Sequence, residues 1–257
     1  MRKSKVIMGV MAMAMVAALT ACGTKAKTET TTANAANSSE ITGDGVATKG
    51  QLVMVTNLEF PPFEYRENDQ PTGIDVDIAK EVAKKMGLEL KVDDIAFDSI
   101  IPELVSGKAD ISFAGMTVTE DRKQSVDFTQ TYAKASQMII VKNDSSIAGP
   151  DDLKNKRIGV QQGTTGDLFS STVEGATVER YNKGMEAVQA LVQGKVDAVV
   201  IDEQPAKVYV KEVQGTKVLD AVAKQDTEEY AAAVNKALDQ MKADGTIDQI
   251  IAKYTAQ

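Results

Sequence analysis

The chain has 257 residues, 43% of them hydrophobic, and a formal net charge of −8. That apolar content is enough for one large or two small cores, and the charge argues against nucleic acid, whose phosphates need a basic face. With no histidine and a single cysteine, Cys/His zinc sites, Ser-His triads and an intrachain disulfide are excluded.

At the start, Arg2, Lys3 and Lys5 precede an apolar run from Val6 to Ala18, followed by Leu19-Thr20-Ala21-Cys22. This layout predicts a secretory signal peptide over 1–21, its apolar run too short for a membrane span. The four residues resemble a bacterial lipobox, in which the cysteine takes a diacylglycerol and becomes the new N-terminus; a simple signal peptide with an incidental cysteine is the alternative. Loss of the leader takes the charge to about −11, mild evidence against an anionic ligand. Residues 22–50, rich in Thr, Ala, Ser and Asn, predict a flexible tether behind a lipid on Cys22.

Ordered structure is expected from Gln51. Leu52–Thr56 reads as a buried strand and Asp75–Met86 as an amphipathic helix ended by Gly87. A strand over Leu88–Val92, a helix over Asp98–Ser106 ended by Gly107 and a strand over Asp110–Phe113 follow. Thr119 is expected to cap a short helix that holds Arg122 in its first turn. Ser136–Lys142 is rich in strand formers. A second set comprises helix Pro150–Asn155, strand Arg157–Val160, a helix start at Gly163–Asp167, helix Gly184–Val192, strand Ala198–Ile201, helix Glu203–Val213 and a short strand Lys217–Leu219. Helices over Ala232–Lys242 and Thr246–Tyr254, split by Gly245, are expected to close the chain. Strand–helix alternation run twice implies α/β architecture with mostly parallel sheets. It divides into a first lobe over 51–139, a second over 140–221, and a return segment with C-terminal helices over 222–257. The extended stretch Asp127–Asn143 is read as the first crossing between lobes.

Several short stretches carry a resemblance. They are Asn57-Leu58-Glu59-Phe60-Pro61-Pro62-Phe63-Glu64-Tyr65, Gly73-Ile74-Asp75-Val76-Asp77, Phe97-Asp98-Ser99-Ile100-Ile101-Pro102, Ala114-Gly115-Met116-Thr117-Val118-Thr119-Glu120-Asp121-Arg122, Val126-Asp127-Phe128 and Gly159-Val160-Gln161-Gln162-Gly163-Thr164-Thr165. Their order and spacing resemble the polar amino-acid substrate-binding proteins of ABC importers. The resemblance implies a two-lobed periplasmic-binding-protein fold of type II, a hinge that closes on a free amino acid, and a membrane permease as partner. No cofactor, metal or nucleic acid is implied, and a monomer is expected.

Burying a zwitterion requires paired charges and aimed hydrogen bonds. Arg122 has the planar fork that fits a carboxylate. Gly163, Thr164 and Thr165 open a helix whose N–H groups are expected to meet the same carboxylate. Thr117 can donate a hydroxyl, and the Gly115 carbonyl can accept from the ammonium. Asp202 ends a strand, where ligands of open α/β sheets sit, and matches the family's ammonium-pairing carboxylate. By the same resemblance Phe60 and Phe97 sandwich the ligand side chain, Asn57 reads its tip, and Gln161 and Ile201 lie where family members vary with specificity. Blander readings stand beside these: Arg122 as a surface partner of Glu120 or Asp121, Asp202 as a plain N-cap, and Phe60 and Phe97 as core. Glu59, Asp75 and Asp77 read as solvated or capping charges outside the site.

One stretch departs from the family pattern. After Tyr230 the chain runs straight into helix-like sequence, so a crossing strand and turn of roughly ten residues read as missing. The return would have to use Ala221–Glu229, which is polar and lacks a strand period; a thinner hinge and lower stability are expected. An enzyme of the same fold, such as a dehydratase of amino-acid pathways, is the alternative function, but without histidine it would rely on Glu, Asp, Lys or Tyr as acid or base. A sensory ectodomain is a third, for which a transmembrane helix or signalling domain after Gln257 would be expected.

Overall fold

A computed structural model describes residues 46–232, with residues 243 and 245, and no side chains for 224–228. The signal peptide, Cys22, nearly all of the tether and, apart from Ala232, the two expected C-terminal helices lie outside the described residues.

The first lobe is built on β1 (Gln51–Thr56) and β5 (Glu89–Asp94), paired in parallel with Gln51 opposite Glu89. Both faces of β1 are covered, which is why it reads as an unbroken apolar run. Leu52 and Met54 pack with Ile78, Val82 and Ala83 of α1 (Ile74–Met86), while Val53 and Val55 pack with Ile100 and Met116. Gly87 ends α1 in the left-handed conformation at φ 68°, its N–H reaching the Ala83 and Lys84 carbonyls. The strand expected over Asp110–Phe113 is reduced to a single bridge, Ile111 beside Met54. Part of the ladder is replaced there by the Asp110 carboxylate, which accepts from the Val53 N–H at 2.8 Å.

A small antiparallel sheet unforeseen in the sequence follows β1: β2 (Glu59–Phe60), β3 (Glu64–Glu67) and β4 (Gln70–Thr72). The helix expected over Asp98–Ser106 is a 3-10 turn, Phe97–Ser99, running into α2 (Ile100–Val105). Thr119 caps α3 (Glu120–Lys123), accepting from the Arg122 N–H at 3.2 Å.

The second lobe holds one mixed sheet in the order β10-β6-β9-β7-β8. Its members are β6 (Thr131–Lys142), β7 (Arg157–Gln161), β8 (Thr177–Tyr181), β9 (Ala198–Asp202) and β10 (Thr216–Ala231). β7 lies parallel to β8 and β9, whereas β6 is antiparallel to β9 and β10. The two-lobed α/β reading therefore holds, with sheets more mixed than expected. Helices α4 (Thr165–Ser170), α5 (Gly184–Val192) and α6 (Glu203–Glu212) complete the lobe. Pro150–Leu153, expected to be helical through Asn155, is one 3-10 turn.

The short strand expected over Lys217–Leu219 is longer than expected. The return does use the polar stretch, as part of the 16-residue β10, hydrogen-bonded along β6 with four shifts of register. A free neighbouring edge satisfies the backbone whatever the side-chain period, and each shift resets which face a side chain takes. Beyond the sheet the strand meets the first lobe: the Val118 N–H donates to the Glu229 carbonyl at 3.0 Å, and Thr117 bridges to Tyr230.

Candidate functional site

Asn57, Phe60, Phe97, Gly115, Thr117, Arg122, Gln161, Thr164, Thr165 and Asp202, the ten residues singled out in the sequence, line one narrow cavity. Ala114 and Glu64 line it as well. The first lobe supplies the wall from Asn57 to Arg122, and β7, α4 and the end of β9 supply the opposite one.

Arg122 is held in the short α3 turn by its Thr119 cap and is buried. Its Nη1 donates to the Thr117 carbonyl at 2.7 Å and its Nη2 to the Gly163 carbonyl, across the cleft, at 3.0 Å. The guanidinium carbon stands 5.4 Å from the centre of the Phe97 ring, a cation–π arrangement. These partners leave no room for the reading of Arg122 as a surface charge.

Asp202 occupies the N-cap position of α6 but makes no side-chain cap bond. Its buried carboxylate accepts instead from the Tyr230 hydroxyl at 2.5 Å. Tyr230 packs edge-on against Phe63, and Phe63 stacks on Phe60, so an aromatic row links Asp202 to the cavity wall. Gly115 needs its left-handed backbone at φ 51° and close packing: a Cβ there would stand 2.7 Å from the Phe60 ring.

Two of the N–H groups at the start of α4 already have partners within the second lobe. The Gly163 N–H donates to Asp167 Oδ2 at 3.1 Å, and the Thr164 N–H to the Gln161 carbonyl at 3.4 Å. Thr164 Oγ1 serves as the cap of α4, accepting from the Asp167 N–H and donating to the Gln161 carbonyl. Thr165 Oγ1 accepts from Gln137 Nε2 at 3.2 Å. Gln161 Nε2 donates across the cleft to Asn57 Oδ1 at 2.9 Å, and Asn57 Nδ2 to the Ile95 carbonyl at 2.9 Å. The lobes are thus closed on each other.

Two charges dismissed in the sequence are not bystanders. Glu59 crosses between lobes to Lys183 Nζ at 2.5 Å, while its carbonyl accepts from the Tyr209 hydroxyl. That carboxylate raises the Lys183 pKa. Asp98 accepts from Gln162 Nε2 at 2.6 Å, a further interlobe bond. Asp75, read as a capping charge, is fully buried in the first turn of α1. One of its oxygens accepts from the Gly115 N–H at 2.8 Å and the Tyr132 hydroxyl at 2.9 Å. Burial outweighs those bonds and lifts its pKa to about 6. Asp77 remains a surface charge paired with Lys80.

Glu64 escaped the sequence reading altogether. Its signal was available: a carboxylate between Phe63 and Tyr65, in a stretch otherwise apolar since Phe60, is an expensive residue to bury. Among the described residues no group of three ligating side chains could hold a metal ion, and no helix is long and apolar enough to cross a membrane.

Residues 52–257 match the family of bacterial extracellular solute-binding proteins, family 3. The chain is 34% identical over 251 residues to the arginine-binding extracellular protein ArtP of Bacillus subtilis, covering 92% of each chain. It is 41% identical to an ancestral arginine-binding protein bound to arginine, covering 80% of this chain and 99% of that one with a TM-score of 0.76. A third similar structure, at 34% identity and TM-score 0.73 over 80% of this chain and 95% of that one, is the ancestral amino acid-binding protein AncCDT-1, a precursor of cyclohexadienyl dehydratase. A match over residues 52–257, on a two-lobed fold with a closed cleft, makes this protein a member of the bacterial extracellular solute-binding proteins, family 3.

Proposed function

We propose that the protein captures a free amino acid with a planar cationic side chain, of the arginine type, and hands it to the permease of an ABC importer. One observation carries the reading: Arg122 and Asp202, of opposite charge and from opposite lobes, line a single cavity. In this reading the ligand carboxylate replaces the Gly163 carbonyl as the partner of Arg122 Nη2, with the Thr117 hydroxyl beside it and Thr164 and Thr165 closing from the second lobe. Asp202 and the Gly115 carbonyl take the ammonium. Phe60 and Phe97 offer faces to a flat guanidinium, and the Asn57 and Gln161 amides offer it acceptors.

Contacts made to both lobes at once favour the closed form, so the ligand shifts a hinge equilibrium. The arginine-binding relatives support the ligand class. We place the protein outside the cell membrane, tethered as a monomer through 22–50 to a lipid on Cys22 after removal of 1–21, with lobes divided near 139 and 221. A binding role rather than an enzymatic one follows from a lining in which Arg122, Asp202 and the amides serve recognition.

Thermal unfolding with each of the twenty amino acids tests this. L-arginine is expected to raise the melting temperature most, since ligand at a hundred times Kd stabilises by about 2.7 kcal/mol. Stabilisation by none of them overturns the reading, and conversion of the ligand on long incubation replaces it with the enzymatic alternative.

A further inference from the structure

Glu64 and Asp75 form a buried carboxyl pair at the floor of the cleft. Both side chains are fully buried. Neither Glu64 oxygen has a hydrogen-bond donor, nor has the Asp75 oxygen turned away from Gly115 and Tyr132. Two facing carboxylates can satisfy each other only through a proton held between them. Glu64 also faces the ligand space. It stands directly opposite Phe60 in the β2–β3 ladder, and cross-strand partners share a face; Phe60 and Glu64 both line the cavity. The Glu64 carboxyl lies within hydrogen-bonding reach of the Asp75 side chain and lines the cleft.

We propose that Glu64 is a ligand-contacting residue whose proton, shared with Asp75 in the ligand-free protein, is displaced by the ammonium group of the incoming amino acid. This deepens the amino-acid reading of the cleft and rests on it. The balance is simple. Above about pH 6, where Asp75 is ionised, the pair begins with one proton and one negative charge. The ligand ammonium keeps its own three protons and pairs with the Glu64 carboxylate. Asp75 stays ionised on the Gly115 N–H and Tyr132 hydroxyl, and the displaced proton goes to the buffer.

The surroundings favour a proton on the pair before the ligand arrives. Burial first, then the Asp75 and Asp202 charges, push the Glu64 carboxyl well above its ordinary range. The other titratable groups around it are Tyr132 on β6, Tyr209 on α6, Tyr230 on β10 and Arg122 across the cavity. Tyr132 and Tyr209 are themselves pushed upward by burial, so they stay neutral and give up no proton. The chain contains no histidine. Proton exchange between pH 5.5 and 8 must then come from a perturbed carboxyl.

The experiment is calorimetric titration of the full chain with L-arginine in phosphate and in Tris, whose ionisation heats differ, from pH 6.5 to 8, where Asp75 is ionised. Should another of the twenty amino acids stabilise the protein most, that one is the probe. Release of up to about one proton per ligand is expected, with affinity rising up to about tenfold per pH unit until the pair is ionised without ligand. Glu64→Gln, which imitates the protonated form, is expected to bind more weakly and release none. An infrared difference spectrum of the unaltered protein should lose a protonated-carboxyl band on binding, and it decides the matter if the variant does not fold. Binding heat without proton release, undiminished release in Glu64→Gln, or an unchanged carboxyl band overturns the inference while leaving amino-acid capture intact. Absence of binding heat with every amino acid overturns both.

Discussion

The Tyr230 hydroxyl donates to Asp202 Oδ1 at 2.5 Å, joining the returning strand to the carboxylate at the end of β9. The strand that closes the hinge thus also sets the side chain proposed to receive the ligand ammonium. Tyr230→Phe removes that bond and keeps the ring against Phe63. A hydrogen bond to a charged group contributes about 1.5–3 kcal/mol, so ligand affinity is expected to fall about tenfold or more with little change in melting temperature. Calorimetry of the two proteins checks it; equal affinity would leave Tyr230 as packing only.

Arg122→Lys tests the fork. A lysine ammonium keeps the charge but cannot serve the Thr117 carbonyl and a ligand carboxylate with fixed planar geometry. The expected loss exceeds tenfold, and Arg122→Ala should lose more. Retained affinity in Arg122→Lys would show that charge alone suffices there.

Lys183→Ala removes a bond that exists only when the lobes are closed. Lys183 and Glu59 side chains are 45% and 32% exposed, so screening limits the pair to about 0–1 kcal/mol. A loss of affinity of up to about fivefold is expected, shrinking at high salt. Scattering profiles should show a more open ligand-free protein. A salt-independent effect would contradict the electrostatic account.

Asp75 sets a pH dependence of stability whose sign is unusual for an acid. Its folded pKa, about 6, lies above its ordinary 3.8, so between those values the folded state binds more protons than the unfolded one. The contribution is then most favourable at low pH and is lost as pH rises through about 6. Melting temperature without ligand is expected to rise from pH 7 to pH 5, before general acid unfolding begins. Asp75→Asn should flatten that slope. A melting curve that falls monotonically from pH 7 to 5 would refute this.

Much of the site was legible in one dimension because its parts are local. Thr119-Glu120-Asp121-Arg122 is a cap and a first turn, and Gly163-Thr164-Thr165 is a strand end meeting a helix start; such units carry their geometry in neighbouring residues. The double strand–helix alternation likewise pointed to the class of fold. What chain order could not show was pairing at a distance. Glu59 and Asp75 look like ordinary acids until Lys183, 124 positions away, and Tyr132, 57 positions away, are brought to them. The polar 221–229 stretch has no period of its own, and it becomes a strand because β6 presents an edge to it. Sequence alone pointed to the fold class and, through the family resemblance, to ten of the twelve residues that line the cavity. Tertiary structure alone decided which charges are buried and which hold the lobes together, because desolvation and pairing depend on what the fold packs against each group.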